Sequence, residues 1–230
     1  LCDVAPDGSS VRIAHGILNL CHRRSAEPPE PMLPGVPEDV VLVLDQMGYR
    51  VAPGHKLRLA LSTTYWPFVW PSPEAATLEI TAASLDLPVH QGTDQAEWTP
   101  PPAETAAPWQ HKVLRAGKSS RRIESDLIAG CHALLVEDDL GDTENLVHGL
   151  VTGETTTERW EVGATPLSAR AEISWEQRLS RGDWRVKTRA ETVMTATATH
   201  LRMTATLTAW EGDSVVFRRD WDEEVARDFV

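Results

Sequence analysis

The chain has 230 residues, enough for one large domain or two small ones with a hydrophobic core. Its 22 Lys and Arg against 34 Asp and Glu give a net charge of −12. That balance argues against nucleic acid and membranes as partners, because nucleic acid and anionic lipid both need a basic face. No apolar run is long enough to span a membrane. Three cysteines without CxxC spacing exclude a disulfide scaffold and a zinc finger, and an initial Leu1 leads us to expect a fragment.

In the first part of the chain, apolar and polar residues alternate with a period of two more often than they follow helical spacing. This pattern predicts short strands at 40–44, 57–61 and 76–80, each bounded by turn residues. Segment 27–39 contains five prolines, so it can form neither a helix nor a central strand. The proline-rich segment 98–118 is predicted to be a linker or surface loop. The expected units are therefore 1–97, 98–118 and 119–230.

A loop between the second and third predicted strands is unusually rich in rings. Tyr65, Trp66, Phe68 and Trp70 alternate with prolines, and such a stiff segment cannot point all of its rings into one core. One interpretation is a loop that packs over the end of a sandwich or under a neighbouring domain. The other is a wall of a ligand pocket or a platform on which sugars stack. We favour packing, and these four residues are our candidate binding or domain-contact site.

An acidic stretch follows the predicted linker. Residues 123–158 contain no Lys or Arg, and five carboxylates cluster within them: Glu137, Asp138, Asp139, Asp142 and Glu144. A calcium site is one alternative, because hard cations prefer clustered oxygen ligands, but Leu140 stands where a calcium loop of the EF-hand type needs Asp or Asn. We therefore expect a solvated loop, with no metal and no cofactor.

The last third of the chain predicts two hairpins. The first is a two-residue turn within 180–183, where Gly182 can adopt a positive φ, and the predicted register pairs Leu179 with Trp184. Its polar face then pairs Glu176 with Lys187 and, unfavourably, Arg178 with Arg185. Its apolar face is predicted to carry Ala169, Ala171, Ile173, Trp175 and Leu179 opposite Trp184, Val186, Ala190 and Met194.

The second hairpin turns through residues 211–213. The expected register places Leu207 opposite Phe217, Ala209 opposite Val215 and Met203 opposite Trp221. Four long antiparallel strands with one apolar face need another layer to cover that face, so this part is expected to be a scaffold.

Several catalytic motifs are missing from the sequence. There is no G-x-S-x-G nucleophile elbow, no HExxH and no dinucleotide fingerprint. Gly117-Lys118-Ser119 matches the last three positions of the phosphate-binding loop motif G-x-x-x-x-G-K-[ST]. Lys112 stands where the motif needs its first glycine, so the motif is incomplete. The eight histidines are scattered singly, and one such as His148 is expected to be structural.

The order of motifs in the first eighty residues resembles the X-Pro dipeptidyl-peptidase C-terminal domain of CocE/NonD-type serine hydrolases. The ending, from Trp184 through Ala205 to Trp221 and Arg227-Asp228, is similar to the tail of a longer subfamily of these hydrolases. The first-part motifs that carry the resemblance are segments 1–8, 16–20, 22–23, 31–35, 49–50 and 53–59, then Ser62 and the aromatic loop ending at Pro73.

This resemblance implies an α/β-hydrolase domain, a helical cap and a C-terminal jelly roll. The Ser-Asp-His triad would belong to the hydrolase domain, so no catalytic residue is carried over to this chain. The family's domain normally begins with further strands, and their absence here leads us to expect unpaired edges and a sticky or partly disordered first part.

The expected fold is therefore all-β: a jelly-roll or galactose-binding-like sandwich, incomplete at its N-terminus, followed by a long-stranded antiparallel sheet. The expected function is the non-catalytic C-terminal portion of a hydrolase that acts on X-Pro peptides, esters or amides. Its partners would be the α/β-hydrolase domain of the same parent chain and, in a homo-oligomer, further copies, with a cytoplasmic location. The alternatives are a stand-alone jelly-roll module that binds carbohydrate or another small ligand, and a degenerate product of a truncated gene.

Overall fold

A computed structural model describes residues 1–25, 27–90 and 99–229. These residues form two antiparallel sheets, of three and eight strands, with two single-turn 3-10 helices at Leu20–His22 and Pro166–Ser168. The all-β prediction and the long antiparallel sheet at the end of the chain are confirmed.

The small sheet holds the beginning of the chain. It consists of β1 (Cys2–Val4), β2 (Ser10–Arg12) and β3 (Lys56–Arg58), with β1 in the middle. Asp3 lies opposite Val11 on one side and Leu57 on the other. The predicted strand at 57–61 is thus present only at its start.

Segments 40–44 and 76–80 carry no regular secondary structure, so the prediction of strands there was wrong. A strand needs a neighbour to accept its backbone hydrogen bonds, and no strand of the described residues lies beside either segment. Their apolar side chains stay largely exposed, with Val41 at 81% and Val43 at 83%. The proline-rich segment 27–39 forms neither helix nor strand, as predicted.

The large sheet is built from eight consecutive strands. Their order across the sheet is β11-β10-β9-β8-β7-β6, followed by β4 and β5, which both pair with the outer edge of β6. The strands are β4 (His111–Arg115), β5 (Lys118–Asp126), β6 (Cys131–Asn145), β7 (Val151–Val162), β8 (Arg170–Arg181), β9 (Trp184–Ala196), β10 (His200–Glu211) and β11 (Ser214–Ala226). Strand β4 lies inside the predicted linker 98–118, and the division of the chain into three units stays a prediction.

Strand β6 contains a bulge at the point where its partner on the outer side changes from β5 to β4. Leu140 is the extra residue, and Gly141 takes a φ of 76°, which a side chain disfavours. Gly117 and Gly141 approach each other's strands so closely that a Cβ on either would overlap backbone atoms. The two glycines therefore allow β4 and β5 to meet the same edge of β6 in succession.

Both predicted hairpins form, but their registers differ from the prediction by two residues, and by one residue next to the turn of the second hairpin. Trp184 lies opposite Arg181 rather than Leu179, and Leu179 pairs with Val186. Only Gly182 and Asp183 lie outside the ladder, which is the predicted two-residue turn, and Gly182 supplies the positive φ that this turn requires. Glu176 therefore lies opposite Arg189 instead of Lys187, and Arg178 lies opposite Lys187 instead of Arg185.

The second hairpin shows the same difference. Ala209, not Leu207, lies opposite Phe217, and Trp221 lies opposite Ala205 rather than Met203. Only Gly212 and Asp213 form the turn, and a register shift after Ala209 pairs Trp210 with Val215. A shift of two residues preserves which face a side chain occupies, so the predicted apolar and charged faces of the first hairpin are correct.

The core is thin. The buried apolar residues among those described are Leu1, Ala14, Ala133, Val136, Ala169 and Ala171. Larger side chains on the apolar face of the sheet remain half exposed, among them Trp175 and Phe217. A large sheet with one apolar face therefore has little of the chain's own structure over it.

Candidate domain-contact site

The aromatic loop lies between the two sheets in the chain and is closed by its own backbone. The Val69 N–H donates to the Tyr65 carbonyl at 2.9 Å, which folds the loop into one tight turn. The four rings of the loop divide by exposure into two pairs, since those at positions 65 and 68 are exposed and those at 66 and 70 are partly buried.

Two rings of the loop, Trp66 and Trp70, point inward. Their centroids lie 5.2 Å apart at an interplanar angle of 80°, and Trp66 also meets Trp160 of β7 at 5.9 Å and 72°. Edge-to-face geometry of this kind is the favoured arrangement of aromatic pairs. Both indole Nε1 atoms are buried without an acceptor among the described residues. The inner half of the loop thus packs the first part of the chain on the large sheet.

The other two rings, Tyr65 and Phe68, point outward. Phe68 is 69% exposed and Tyr65 is 42% exposed, with their centroids 5.4 Å apart and their planes inclined by 46°. A platform for stacking sugars needs coplanar exposed rings, and these two planes are tilted. The outer half of the loop is a small, exposed apolar ridge.

Two residues near the beginning of the chain support the outer rings, and neither was predicted. The Arg12 guanidinium donates to the Tyr65 hydroxyl and lies 6.0 Å from the ring centroid. The His15 ring stands edge-on to Phe68 at 6.2 Å, and its Nδ1 lies 2.6 Å from Asp45 Oδ2. No sequence motif connects these residues to the loop, because the contacts arise only when β2 folds beside it.

Arg227, in the segment after β11, binds the end of the aromatic loop. Arg227 is 3% exposed, and its Nη2 donates to the Pro71 carbonyl at 2.6 Å. Burial lowers the pKa of Arg227 from its ordinary value. Nearby, the Asn19 side chain donates to the Phe229 carbonyl at 2.7 Å. Arg227 was part of the sequence resemblance at the end of the chain, but its partner at the loop could not be predicted.

A second polar group centres on Asp3, which is 5% exposed within the small sheet. The Tyr49 hydroxyl donates to Asp3 Oδ2 at 2.7 Å, and His55 Nδ1 lies 2.9 Å from Oδ1. The hydrogen bond from Tyr49 holds the pKa of Asp3 below its ordinary value, and His55 acts in the same direction. The three residues come from motifs that the sequence singled out separately, and the group ties segments 49–50 and 53–59 to β1.

The acidic stretch is not a solvated loop, so that prediction was wrong. Its five carboxylates lie in strand β6, and arginines from neighbouring strands pair with several of them. Arg115 bonds to both Asp139 and Asp142, and Arg178 Nη2 lies 3.3 Å from Asp142 Oδ1. These contacts lower the pKa of Asp139 to about 2, chiefly through Arg115 and then through the Gly141 N–H.

The bulge explains how these charges meet. Residues three apart on a regular strand point to opposite faces, but the extra residue Leu140 turns Asp139 and Asp142 to the same face. Arg178 reaches Asp142 across Gly153, where a Cβ would overlap the carboxylate. Three carboxylates of the cluster are thus paired with arginines: Asp139 and Asp142 with Arg115, Asp142 also with Arg178, and Asp138 with Arg121.

The remaining sequence candidates serve structural roles. Gly117-Lys118-Ser119 opens strand β5 against the backbone of β6, which leaves no cradle for a phosphate. The His148 Nδ1 accepts from the Leu150 N–H at 3.3 Å in the turn after β6. Within residues 1–25, 27–90 and 99–229, no group of three His, Cys, Asp or Glu side chains is arranged to hold a metal ion. No helix in that part is long and apolar enough to cross a membrane.

Comparison with known families gives one match. Residues 1–124 match the family described as the X-Pro dipeptidyl-peptidase C-terminal non-catalytic domain. The matched region contains the small sheet, the aromatic loop and strand β4. No curated protein and no solved structure matches the chain at a significant level.

Proposed function

The chain belongs to the family of X-Pro dipeptidyl-peptidase C-terminal non-catalytic domains, and on that premise we propose that it serves as the non-catalytic C-terminal portion of a CocE/NonD-type serine hydrolase. The catalytic α/β-hydrolase domain lies in the same parent polypeptide. Its activated serine attacks an X-Pro peptide, an ester or an amide, and water then resolves the acyl-enzyme. The chain described here contributes no group to that chemistry.

The contribution of the chain is to hold the hydrolase domain and to shape its cleft. The observation that supports this role best is the division of the aromatic loop into two halves. Trp66 and Trp70 fix the loop to the large sheet, while Phe68 and Tyr65 stand exposed on a rigid turn. Rigid aromatic anchors with few rotatable bonds are typical of interface centres, because they lose little entropy when they are buried.

Exposed apolar side chains elsewhere in the family-matched region support the same role. Val41, Val43 and Leu33 are each more than half exposed, and all belong to segments without a strand neighbour among the described residues. Apolar surface of this kind marks an interaction site on a protein that stays soluble. In the proposed arrangement, the rest of the hydrolase covers it.

The parent hydrolase is proposed to work in the cytoplasm. Cys2, Cys21 and Cys131 are all free thiols in the structure. Unpaired cysteines are the rule in reducing compartments, whereas secreted proteins of modest core size acquire disulfides.

The contact role is tested with Phe68→Ala in the intact hydrolase. Truncating an aromatic interface anchor costs more than about 1 kcal/mol, about a fivefold change in the docking equilibrium. We expect the variant to lose labelling of the catalytic serine by a fluorophosphonate at a lower temperature than the parent, and to cleave a chromogenic X-Pro anilide more slowly.

The matched control is Ile128→Ala, which removes a fully exposed apolar side chain from the turn between β5 and β6. It should leave labelling and turnover unchanged. A parent protein that takes no fluorophosphonate label would overturn the hydrolase assignment. Identical profiles for Phe68→Ala and the parent would overturn the contact role alone.

A further inference from the structure

The short segment 227–229, which follows β11, turns back onto the first part of the chain. It consists of Arg227, Asp228 and Phe229. The Arg227 N–H donates to the Thr199 carbonyl at 2.9 Å, in the turn between β9 and β10. The segment therefore begins at a fixed point on the large sheet, and its side-chain and backbone contacts from there on reach the first part of the chain.

The Arg227 side chain joins the large sheet to the aromatic loop. It is buried, and its Nη2 donates to the Pro71 carbonyl at 2.6 Å while its Nη1 lies 3.4 Å from the Thr197 carbonyl. Pro71 is also buried and directly follows Trp70, one of the two inner rings. A guanidinium carries several donors in a rigid plane, so one side chain can hold two carbonyls in a set geometry. Arg227 thus fixes the point at which the aromatic loop ends.

The backbone of the segment is strained. Asp228 has a φ of 38° and Phe229 a φ of 70°, and among the residues that the structure describes these two are the non-glycine residues with a positive φ. A side chain disfavours this left-handed region because its Cβ comes too close to the following carbonyl oxygen, and a bulky residue such as phenylalanine is rarely found there. Strain of this kind persists only where surrounding contacts impose it, and it is concentrated at functional and switching segments.

The contact that imposes the strain at the far end comes from Asn19. Its Nδ2 donates to the Phe229 carbonyl at 2.7 Å, and its Oδ1 accepts from the Cys21 N–H at 3.0 Å, at the start of the 3-10 helix Leu20–His22. The Phe229 ring is 52% exposed, so burial of the ring does not account for the strained backbone. Segment 227–229 is thus held at one end by the bond to Pro71 and at the other by Asn19, and both partners belong to the family-matched region.

We propose that segment 227–229 is a latch through which the large sheet sets the position of the aromatic loop, with Arg227 as the positioning residue. Trp66 holds the loop on Trp160, and Arg227 holds its end at Pro71, so Phe68 lies between two attachments in the chain. Opening the latch relieves the strain of its backbone, and the loop can then be freed while the sheet stays folded.

The latch itself does not depend on the hydrolase assignment. Its consequence for catalysis rests on the proposed function, because the exposed ring of Phe68 is the proposed contact with the hydrolase domain. A closed latch presents that ring in one position, and an open latch leaves the ring to be ordered when the domains meet, which weakens their contact.

Hydrogen exchange at Val69 tests the latch, because the Val69 N–H closes the loop on the Tyr65 carbonyl. Arg227→Met removes the donors and keeps a side chain of similar length. In the intact hydrolase, we expect the Val69 amide to exchange at least about tenfold faster in this variant, since a hydrogen bond from a charged group contributes about that factor or more to an equilibrium. Mass spectrometry of peptides that span residues 65–70 measures the exchange.

Two controls accompany this measurement. Within every sample, the Gly130 N–H donates to the Asp126 carbonyl at 2.8 Å in the turn between β5 and β6, and it should exchange at the parent's rate. The matched variant is Arg218→Met, which removes an arginine whose side chain is 62% exposed on β11. It should leave exchange at Val69 unchanged.

A pair of variants at one position tests the strain. Phe229→Ala and Phe229→Gly both remove the ring and keep the backbone carbonyl that Asn19 binds. Only glycine adopts a φ of 70° without a steric cost, although its greater freedom in the open state offsets part of the gain. We expect Val69 to exchange about threefold more slowly in Phe229→Gly than in Phe229→Ala, because the latch without strain stays closed for more of the time.

The outcomes separate the latch from a purely structural arginine. Exchange at Val69 that is the same in Arg227→Met and the parent overturns the proposal. Equal acceleration at Val69 and Gly130 also overturns it, because Arg227 then stabilises the whole fold rather than the loop. Equal exchange in the two Phe229 variants overturns the strained latch.

The same variants distinguish the latch from the proposed function. With faster exchange at Val69 confined to the loop, we expect Arg227→Met to lose fluorophosphonate labelling of the catalytic serine at a lower temperature than the parent. Faster exchange with unchanged labelling leaves the latch in place and overturns the contact role of the loop alone.

Discussion

Trp66 and Trp160 meet edge to face, with ring centroids 5.9 Å apart and planes inclined by 72°. Trp66 belongs to the aromatic loop of the family-matched region, and Trp160 lies on strand β7 of the large sheet. The pair therefore joins the family-matched region to the long sheet that follows it. Its strength determines how firmly the loop, and with it Phe68, is held.

The coupling between these two rings can be measured directly. We expect Trp66→Leu and Trp160→Leu each to destabilise the protein, and the double variant to lose less than the sum of the two. The difference should be about 0.5–1.5 kcal/mol, the additional stabilisation that an aromatic pair provides beyond buried area. Urea denaturation of the four proteins gives the cycle, and exact additivity would show that the rings do not interact.

The bulge in β6 gives a prediction about glycine. Gly141 combines a φ of 76° with backbone atoms that a Cβ would overlap, whereas Gly212 has a φ of 56° and open space around it. Left-handed backbone costs a residue with a side chain about 1–2 kcal/mol, so Gly212→Ala should lose about that much. Gly141→Ala should lose clearly more in the same denaturation assay, and equal losses would contradict the close packing of β4 on the bulge.

The ion pairs around Asp139 predict a dependence of stability on pH. The pKa of Asp139 is lowered to about 2 by Arg115 and the Gly141 N–H, below the usual value of about 3.9 for a free aspartate. The stabilisation is thus present above about pH 4 and is lost as the pH falls towards 2. Asp139→Asn should flatten the fall in melting temperature between pH 5 and 2. If melting temperature falls with pH as steeply in Asp139→Asn as in the parent, then the pKa of Asp139 does not differ between the folded and unfolded states.

The lowered pKa of Asp3 also predicts a loss of stability in acid, and here a tyrosine hydroxyl rather than an arginine is the main cause. The Tyr49 hydroxyl is the main cause of its lowered pKa, so Tyr49→Phe removes a donor from a buried carboxylate. We expect acid unfolding of the small sheet to begin at a higher pH in this variant, since a carboxylate with a less depressed pKa takes up its proton earlier. Tyr65→Phe, which removes an exposed hydroxyl, is the control. Equal acid midpoints for Tyr49→Phe and the parent would contradict the role of the Tyr49 bond.

Comparison of the sequence with the structure shows which kinds of relationship were predictable. The alternation of Ala171, Ile173, Trp175 and Leu179 identified the apolar face correctly, because side-chain direction depends only on parity along a strand. The two-residue turn at Gly182 was predicted correctly, but the register was misjudged by two residues. A turn made of Gly182 and Asp183 pairs Arg181 with Trp184, whereas the predicted pair of Leu179 with Trp184 leaves four residues between the strands.

The ion pairs of β6 were missed for a different physical reason. A count of residues 123–158 found no basic side chain, yet Arg115 and Arg178 come from strands on either side of that stretch. Pairing across a sheet joins residues that are distant in sequence, and the bulge at Leu140 then decides which of them share a face. The candidate rings were identified from composition, but the separation of Trp66 from Phe68 into inner and outer positions required the folded turn.

The connectivity of the large sheet has a consequence for how the protein is made. From β6 to β11 each strand pairs with the one synthesised just before it, so this sheet can grow strand by strand with short loops to close. The small sheet must wait for β3, about fifty residues after β1, before its central strand has both neighbours. The Arg227 hydrogen bond to Pro71 forms last, because it follows β11. A nascent chain thus holds its aromatic loop without the Arg227 hydrogen bond until translation has passed the large sheet, and the ridge of Phe68 and Tyr65 is accessible to chaperones during that interval.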